Sequence, residues 1–364
     1  MTSTVLFTGF PGFIGRRLVR RWAAVHPDKR WVFLVQEQLG GRAEQDLREI
    51  EGEQPAFAGR WETLAGDVTD PRLGLDAAAY DDLAGRVTEC WHLAAVYDLA
   101  VPEEVARRVN VDGTRHVLDL CAACGGFERL YYVSTCYVSG DRTGRVLESE
   151  LDEGQGFKNH YESTKFHAEV AVQERWDRVP ATIFRPAVVV GDSRSGETDK
   201  YDGPYFTIRF MMRLPRLVPM VGIGSGKARL NLVPVDYLVD AMVEIADQAT
   251  SAGRVFQLTD PGALTVAELL DLISHQLGKP RPWLSVPGAV LEGALSLGPL
   301  RRLLGMPKET IVYANHPVAY DAQNTLGALD GTGVECPSIA GYLPTLIQYL
   351  REHPDKEFLD RRKL

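Results

Sequence analysis

Apolar positions fall in short bursts separated by stretches of helical period. Val5-Leu6-Phe7 is a strand-like run that enters Thr8-Gly9-Phe10-Pro11-Gly12-Phe13-Ile14-Gly15 and leaves as the helical pattern Arg16-Arg17-Leu18-Val19-Arg20-Arg21-Trp22. Further strand-like runs at 31–35, 88–93, 129–133 and 181–185 are separated by segments of helical period, notably 102–123 and 160–177. This alternation predicts βαβ units, hence a doubly wound parallel sheet of the α/β class with helices on both faces and ligands at the carboxyl ends of the strands. After Gly191 the rhythm breaks. Residues 192–204 are polar and glycine-rich, 205–222 are apolar with several prolines, and periodic elements return piecemeal at 230–233, 255–258 and 264–277.

The first strand, turn and helix have a specific use. Gly9 permits the tight turn, Gly12 lets a backbone approach a pyrophosphate, and Gly15 lets the helix pack closely on the strand. A helix N-terminus presents free N–H groups to an anion. The spacing is GxxGxxG, one residue longer at the first gap than GxGxxG, and a plain structural turn would also use glycines. The expected organisation is a Rossmann NAD(P)-binding core over residues 1–190, with further core elements at about 228–260. A smaller C-terminal substrate-binding or lid region would comprise 191–227 and 261–364.

Composition narrows the classes. At 364 residues, 45% hydrophobic and 24% charged, the chain can bury a sizeable core. A net charge of -9 offers no electrostatic footprint for nucleic acid or an anionic membrane. No secretory leader pattern precedes the first strand, so a cytoplasmic location is expected. The five cysteines are scattered, and the Cys121/Cys124 pair lacks a second pair or a histidine at ligand spacing, so packing is expected there and no metal. The 283–304 segment is apolar, but Glu292, Arg301, Arg302 and two prolines argue against a spanning helix; a lid or an interfacial patch fits better. The tail 355–364 is a charge run, expected to be solvated.

Tyr161-Glu162-Ser163-Thr164-Lys165 supplies candidate chemistry. Its YxxxK spacing inside a helical pattern puts a phenol and an ammonium one turn apart on one face. A neighbouring ammonium favours the phenolate, so the expectation is a lowered Tyr161 pKa and proton exchange with a substrate oxygen nearer neutrality. The strand ending Tyr131-Tyr132-Val133-Ser134-Thr135 would deliver a hydroxyl to the same sheet edge, either Thr135 or Ser134.

At these residues the chain resembles the extended short-chain dehydrogenase/reductases, in which a glycine turn, a Ser/Thr at the end of the fifth strand and YxxxK recur in this order. The resemblance spans residues 3 to about 245 and implies a catalytic Thr135, Tyr161 and Lys165. It implies that Asp67 and Val68 of Gly66-Asp67-Val68-Thr69 meet the adenine, and that Ala94, Ala95 and Val96 let the dinucleotide lie against backbone. Asn110, in Asn110-Val111-Asp112-Gly113-Thr114, would brace it, and Pro186 and Val188 would hold the nicotinamide carboxamide. Gly9, Gly12, Phe13, Ile14, Gly15 and Arg16 would surround the pyrophosphate, with Tyr161 and Lys165 reaching the nicotinamide ribose. Gln36 takes the position that discriminates NAD from NADP and is neither acid nor base. Arg16, Arg17 and Arg42 can supply positive charge, so NADPH is expected over NADH.

Within that superfamily, Gly66-Asp67-Val68-Thr69-Asp70-Pro71-Arg72-Leu73-Gly74-Leu75, Val133-Ser134-Thr135-Cys136-Tyr137-Val138, Gly191-Asp192-Ser193 and Leu232-Val233-Pro234-Val235-Asp236-Tyr237 resemble the branch of fatty acyl-CoA reductases and thioester reductases of peptide and polyketide synthases. That branch usually has arginine where Gln36 stands. The resemblance implies hydride transfer from NADPH to a thioester carbonyl, with Thr135 and Tyr161 on the developing oxyanion, giving aldehyde and, with a second round, alcohol. The expected partner is an acyl thioester or other apolar carbonyl compound, carried by CoA or a separate carrier protein; a homo-oligomer is compatible. Cys136 is expected to be packed, not catalytic. Residues 205–221, rich in aromatic and methionine side chains, suit an adaptable apolar channel or core. Alternatives are a hydroxysteroid, flavonol-type or nucleotide-sugar dehydrogenase or epimerase, and a non-catalytic NADP-sensing protein.

Overall fold

The computed structural model describes residues 3–98, 101–218, 220, 222–282, 285–286 and 309–356. Seven strands form one parallel sheet: β1 (Thr4–Thr8), β2 (Arg30–Val35), β3 (Trp61–Ala65), β4 (Glu89–His92), β5 (Arg129–Val133), β7 (Ala181–Pro186) and β11 (Arg254–Leu258). Their spatial order is β11-β7-β5-β4-β1-β2-β3, with every pairing parallel. The order reverses between β1 and β4, which opens a crevice at their carboxyl ends. Three two-stranded pairings lie outside this sheet: β8 (Val188–Val190) with β10 (Leu232–Pro234), β6 (Gly144–Val146) with β13 (Val318–Tyr320), and β9 (Gly222–Ile223) with β12 (Ser285–Val286).

Strand alternation feeds two separate cores. Val5 and Phe7 of β1, with Trp31 and Phe33 of β2, face one cluster, whereas Leu6 and Val32 face the other. Phe33, Phe7, Trp91 and Tyr131 stand in register across four strands, and Trp91 stacks on Tyr131 at 4.4 Å between ring centroids. Helices α1 (Phe13–Val25) and α8 (Val235–Ala246) cover that aromatic face. On the opposite face lie α3 (Ala77–Arg86), α5 (Gly113–Ala123) and α6 (His160–Gln173), α5 being entered by the short α4 (Glu103–Ala106) and a π-helical turn, Arg107–Asp112. The helix α2 (Gly40–Glu53) follows β2. Cys121 and Cys124 are buried free thiols in the second core.

A third cluster brings α7 (Pro204–Arg213), α9 (Val266–Gln276) and the helix Ile339–Glu352 together. Of the two uses open to 205–221, channel or core, the described residues take the core. Tyr205, Ile208, Met211 and Met220 are at most 6% exposed and pack into this cluster, with Phe206, Phe210 and Met212 half-buried against it. Their apolar surface is spent on holding α7 in place. The segment 287–308 and most of the charged tail, 357–364, lie outside the described residues, as do Trp283, Leu284, Pro219 and Val221. Among the described residues no helix is long and apolar enough to cross a membrane.

Candidate active site

The carboxyl ends of the strands surround a cleft of about 630 Å³. At one side the turn after β1 forms a cradle that side chains would fill. Gly9 has φ +87°, and a Cβ there would lie 2.7 Å from the Ala94 nitrogen at the end of β4. A Cβ on Gly15 would come within 2.9 Å of the Gly9 carbonyl oxygen and 3.3 Å of the Phe7 ring, so this glycine seats α1 against β1. The Gly12 expectation needs refining: its Cβ would meet the Gly9 oxygen at 2.8 Å, so bulk there breaks the turn as well as blocking a ligand. Gly12 is the N-cap of α1 and no side chain caps the helix, so the amides of its first turn face the cleft wall made by Gly12, Phe13, Ile14 and Gly15. This cradle fits a dinucleotide pyrophosphate.

Further along the cleft, Asp67 follows β3 and Gln36 follows β2. Gln36 Nε2 donates to Asp67 Oδ2 at 2.7 Å, and the Thr69 N–H donates to Asp67 Oδ1 at 2.8 Å. Burial raises the Asp67 carboxyl, but these hydrogen bonds outweigh it and hold the group below its ordinary value. Val68, Ala94, Ala95, Pro186 and Val188 also line the cleft. Val96 and Asn110 do not; they brace it from behind. Asn110 Oδ1 accepts from the Val96 N–H at 2.9 Å while its Nδ2 donates to Thr164 Oγ1 at 3.0 Å, tying the β4 end to α6. The π-helical turn supplies the extra residue that aims Asn110 inward.

His92 organises the same strand end. Thr114 Oγ1 donates to the Asn110 carbonyl at 2.7 Å, leaving its lone pairs for His92 Nε2–H at 3.0 Å, while Thr8 Oγ1 donates to Nδ1 at 2.7 Å. Burial, with the nearby Lys165, drives the imidazole down to about 3, so it is neutral.

The helix α6 carries Tyr161 and Lys165 into the cleft. Asn159 caps it, its side-chain oxygen accepting from the Glu162 N–H at 3.0 Å. Tyr161 and Thr135 are brought together in the cleft lining, the Thr135 hydroxyl near enough to act on the Tyr161 phenol. Ser134 is turned away: its hydroxyl donates to Glu169 Oε2 at 2.5 Å, so Thr135 is the hydroxyl beside Tyr161. Lys165 Nζ donates to Tyr132 Oη at 2.9 Å and to the Val133 carbonyl at 2.8 Å. The expected lowering of the Tyr161 pKa is corrected. Burial pushes the phenol above its ordinary range, the Thr135 hydroxyl opposing only in part. Burial also brings Lys165 down to about 7, against the pull of Glu169. Low dielectric acts on both groups at once and favours their neutral forms. Cys136 is buried, its thiol raised by burial and donating to the Arg185 carbonyl at 3.0 Å.

Several site features were not anticipated. Glu169 and Arg185, with side chains 0% and 1% exposed, form a buried ion pair at 2.6 Å directly beneath Ser134. The Tyr97 ring meets Tyr161 edge-on at 5.1 Å, under the Lys200 ammonium at 4.6 Å. Tyr137 stacks on Tyr313 at 4.6 Å, and the Tyr313 hydroxyl donates to buried Glu162 at 2.7 Å, docking the helix Glu309–Ala314 on α6. Arg16 does not itself line the cleft but stands behind its wall, where it donates to the wall residue Asp199 at 2.6 Å.

The NAD-binding family described as male sterility protein matches residues 7–242, from within the first strand to within α8. The chain belongs to this family. Among similar proteins, this male sterility family chain is 27% identical over 284 residues to a linear gramicidin synthase of Brevibacillus parabrevis, covering 75% of the chain. It is 29% identical over 285 residues to glycine betaine reductase ATRR of Emericella nidulans, covering 74%. It spans only 5% and 22% of those proteins' lengths. The terminal R domain of the myxalamid PKS-NRPS biosynthetic pathway superimposes with a TM-score of 0.81 and 28% identity, over 98% of this chain and 92% of that one. The family is an NAD-binding one, and the relatives include a glycine betaine reductase and an aldehyde reductase.

Proposed function

We propose that this chain uses NADPH to reduce an acyl thioester, presented on CoA or on a carrier protein, to an aldehyde. The observation that carries the reading is the convergence, in one cleft, of the glycine cradle at α1 with the Thr135–Tyr161 hydroxyl pair and Lys165. The likeness to a synthase R domain over nearly the whole chain supports a thioester over other carbonyl compounds. Gly9, Gly12, Phe13, Ile14 and Gly15 would hold the pyrophosphate, and Asp67 with Val68 the adenine. Ala94 and Ala95 would meet the dinucleotide through backbone, Lys165 the nicotinamide ribose, and Pro186 with Val188 the carboxamide. When bound, the reduced nicotinamide supplies the hydride.

The chain's own residues do the rest. Thr135 and Tyr161 bind the carbonyl oxygen through their hydroxyls and fix it before charge develops, as a preorganised oxyanion site does. Burial keeps the Tyr161 phenol protonated, so it has a proton to give when that oxygen becomes basic. The tetrahedral carbon then expels the thiol, a competent leaving group that needs no covalent help. Cys136 is accordingly free to pack. The test is turnover of S-acyl N-acetylcysteamine and acyl-CoA thioesters with NADPH, comparing wild type with Tyr161→Phe. Aldehyde formation that depends on Tyr161 supports the reading; inert thioesters alongside a reduced ketone or sugar nucleotide overturn it.

A further inference from the structure

The residue ending β2 cannot choose between the two nicotinamide cofactors here. Gln36 carries no charge and its amide is committed to Asp67. The charges at that end of the cleft come from elsewhere. Arg42 lines the wall beside Gln36 and Leu39, with its side chain 55% exposed. The other cations of the wall, Lys165 and Lys200, stand against Tyr132 and Tyr97. Behind Arg42 lies Arg16. Asp199, also in the wall, takes Arg16 Nη2 on both carboxylate oxygens at 2.6 and 2.7 Å and approaches Arg42 Nη2 to 3.8 Å. Asp46 stands 3.7 and 3.9 Å from the same two arginines.

Asp199 belongs to a loop held at both ends. Ser193 donates through its N–H and hydroxyl to Asp236 at 2.9 and 2.5 Å, and the Gly191 N–H donates to Tyr205 Oη at 2.9 Å. Between those anchors, two ion pairs fasten the loop to α1: Arg16–Asp199, and Arg17–Glu197 at 3.1 Å. Only the first of these borders the cleft.

We propose that Asp199 determines cofactor preference by holding Arg16 and crowding Arg42, the two cations that would receive the 2′-phosphate of NADPH. A phosphate at Arg42 meets the Asp199 carboxylate as a like charge. It must either displace that carboxylate from the arginines or bind against its repulsion. Removing the charge therefore favours 2′-phosphorylated ligands and leaves those without the phosphate alone. The inference rests on the NADPH reading above and deepens it.

Calorimetric titration with 2′,5′-ADP, 5′-AMP, NADPH and NADH tests it without turnover. Asp199→Asn should tighten NADPH and 2′,5′-ADP by roughly five- to tenfold at low salt, with NADH and 5′-AMP unchanged and the difference shrinking as salt rises. Glu197→Gln loosens the same loop without touching Arg16 or Arg42 and should leave the preference as it was. Arg42→Gln, on an exposed helical face, should weaken the 2′-phosphorylated pair selectively. If the wild type prefers NADPH and Asp199→Asn shifts all four ligands alike, the carboxylate only fastens the loop, and the proposal falls while the NADPH reading stands. If neither the wild type nor either Asp199→Asn or Arg42→Gln distinguishes 2′,5′-ADP from 5′-AMP, both fall together.

Discussion

Replacing Glu169 by glutamine removes one charge from beneath Ser134, next to the proposed catalytic Thr135, while keeping the side chain's shape. Glu169 accepts from Arg185 Nε at 3.0 Å and Nη2 at 2.6 Å, from Ser134 Oγ at 2.5 Å and from Gln173 Nε2 at 3.1 Å. The amide keeps one acceptor oxygen and turns an NH₂ toward groups that are themselves donors. Arg185, 1% exposed, then holds a buried charge without its counterion, a loss of about 3–5 kcal/mol. That is a large share of the roughly 5–15 kcal/mol that keeps a domain folded. Urea denaturation of Glu169→Gln, Arg185→Met and the double variant measures it. The double variant should recover at least half of the single loss, because two neutral side chains leave no stranded charge. A Glu169→Gln variant within about 1 kcal/mol of wild type, or a double variant as unstable as the two losses summed, would refute the argument.

Thr135→Val and Tyr161→Phe should each lower turnover on the order of a hundredfold or more with NADPH affinity retained; near-normal kcat in either removes that hydroxyl from the mechanism. Lys165 gives a pH signature. Its folded value, about 7, lies below the unfolded value of about 10.4, so the cost of burying its charge is complete below pH 7 and fades as pH rises toward 10. Wild type should therefore gain stability relative to Lys165→Met between pH 7 and 10, and parallel stability curves would contradict this. Met211→Ala should cost about 2–5 kcal/mol as a core cavity without altering acyl-length preference. A variant that selectively loses long acyl substrates would put the channel back at α7.

Much of this site could be read in the chain because local pattern dictates it. The glycine turn, the β5 end and the YxxxK helix each follow from periodicity and spacing, and 129–133 is a strand with the same limits in the structure. Long-range electrostatics were not legible. Sequence places Lys165 one turn from Tyr161, but burial decides the protonation of both, and burial depends on β5 and α6 packing together. Glu169 lies two turns along the same helix from Tyr161, yet its partner Arg185 comes from a different strand. The same limit hid Asp199, 183 residues from Arg16. Residues 205–221 stayed open between channel and core for another reason: an aromatic and methionine stripe has the same composition in either role, and α7 turns it inward.

The most direct test of thioester reduction follows both products of the bond that must break. With an acyl-CoA or S-acyl N-acetylcysteamine substrate, free thiol and NADPH consumption are recorded together from the first turnover. The account predicts thiol released in step with NADPH oxidised, one for one when aldehyde accumulates and one for two when alcohol forms, both lost in Tyr161→Phe. NADPH oxidation with a ketone or nucleotide sugar, and no thiol from any thioester, would contradict it.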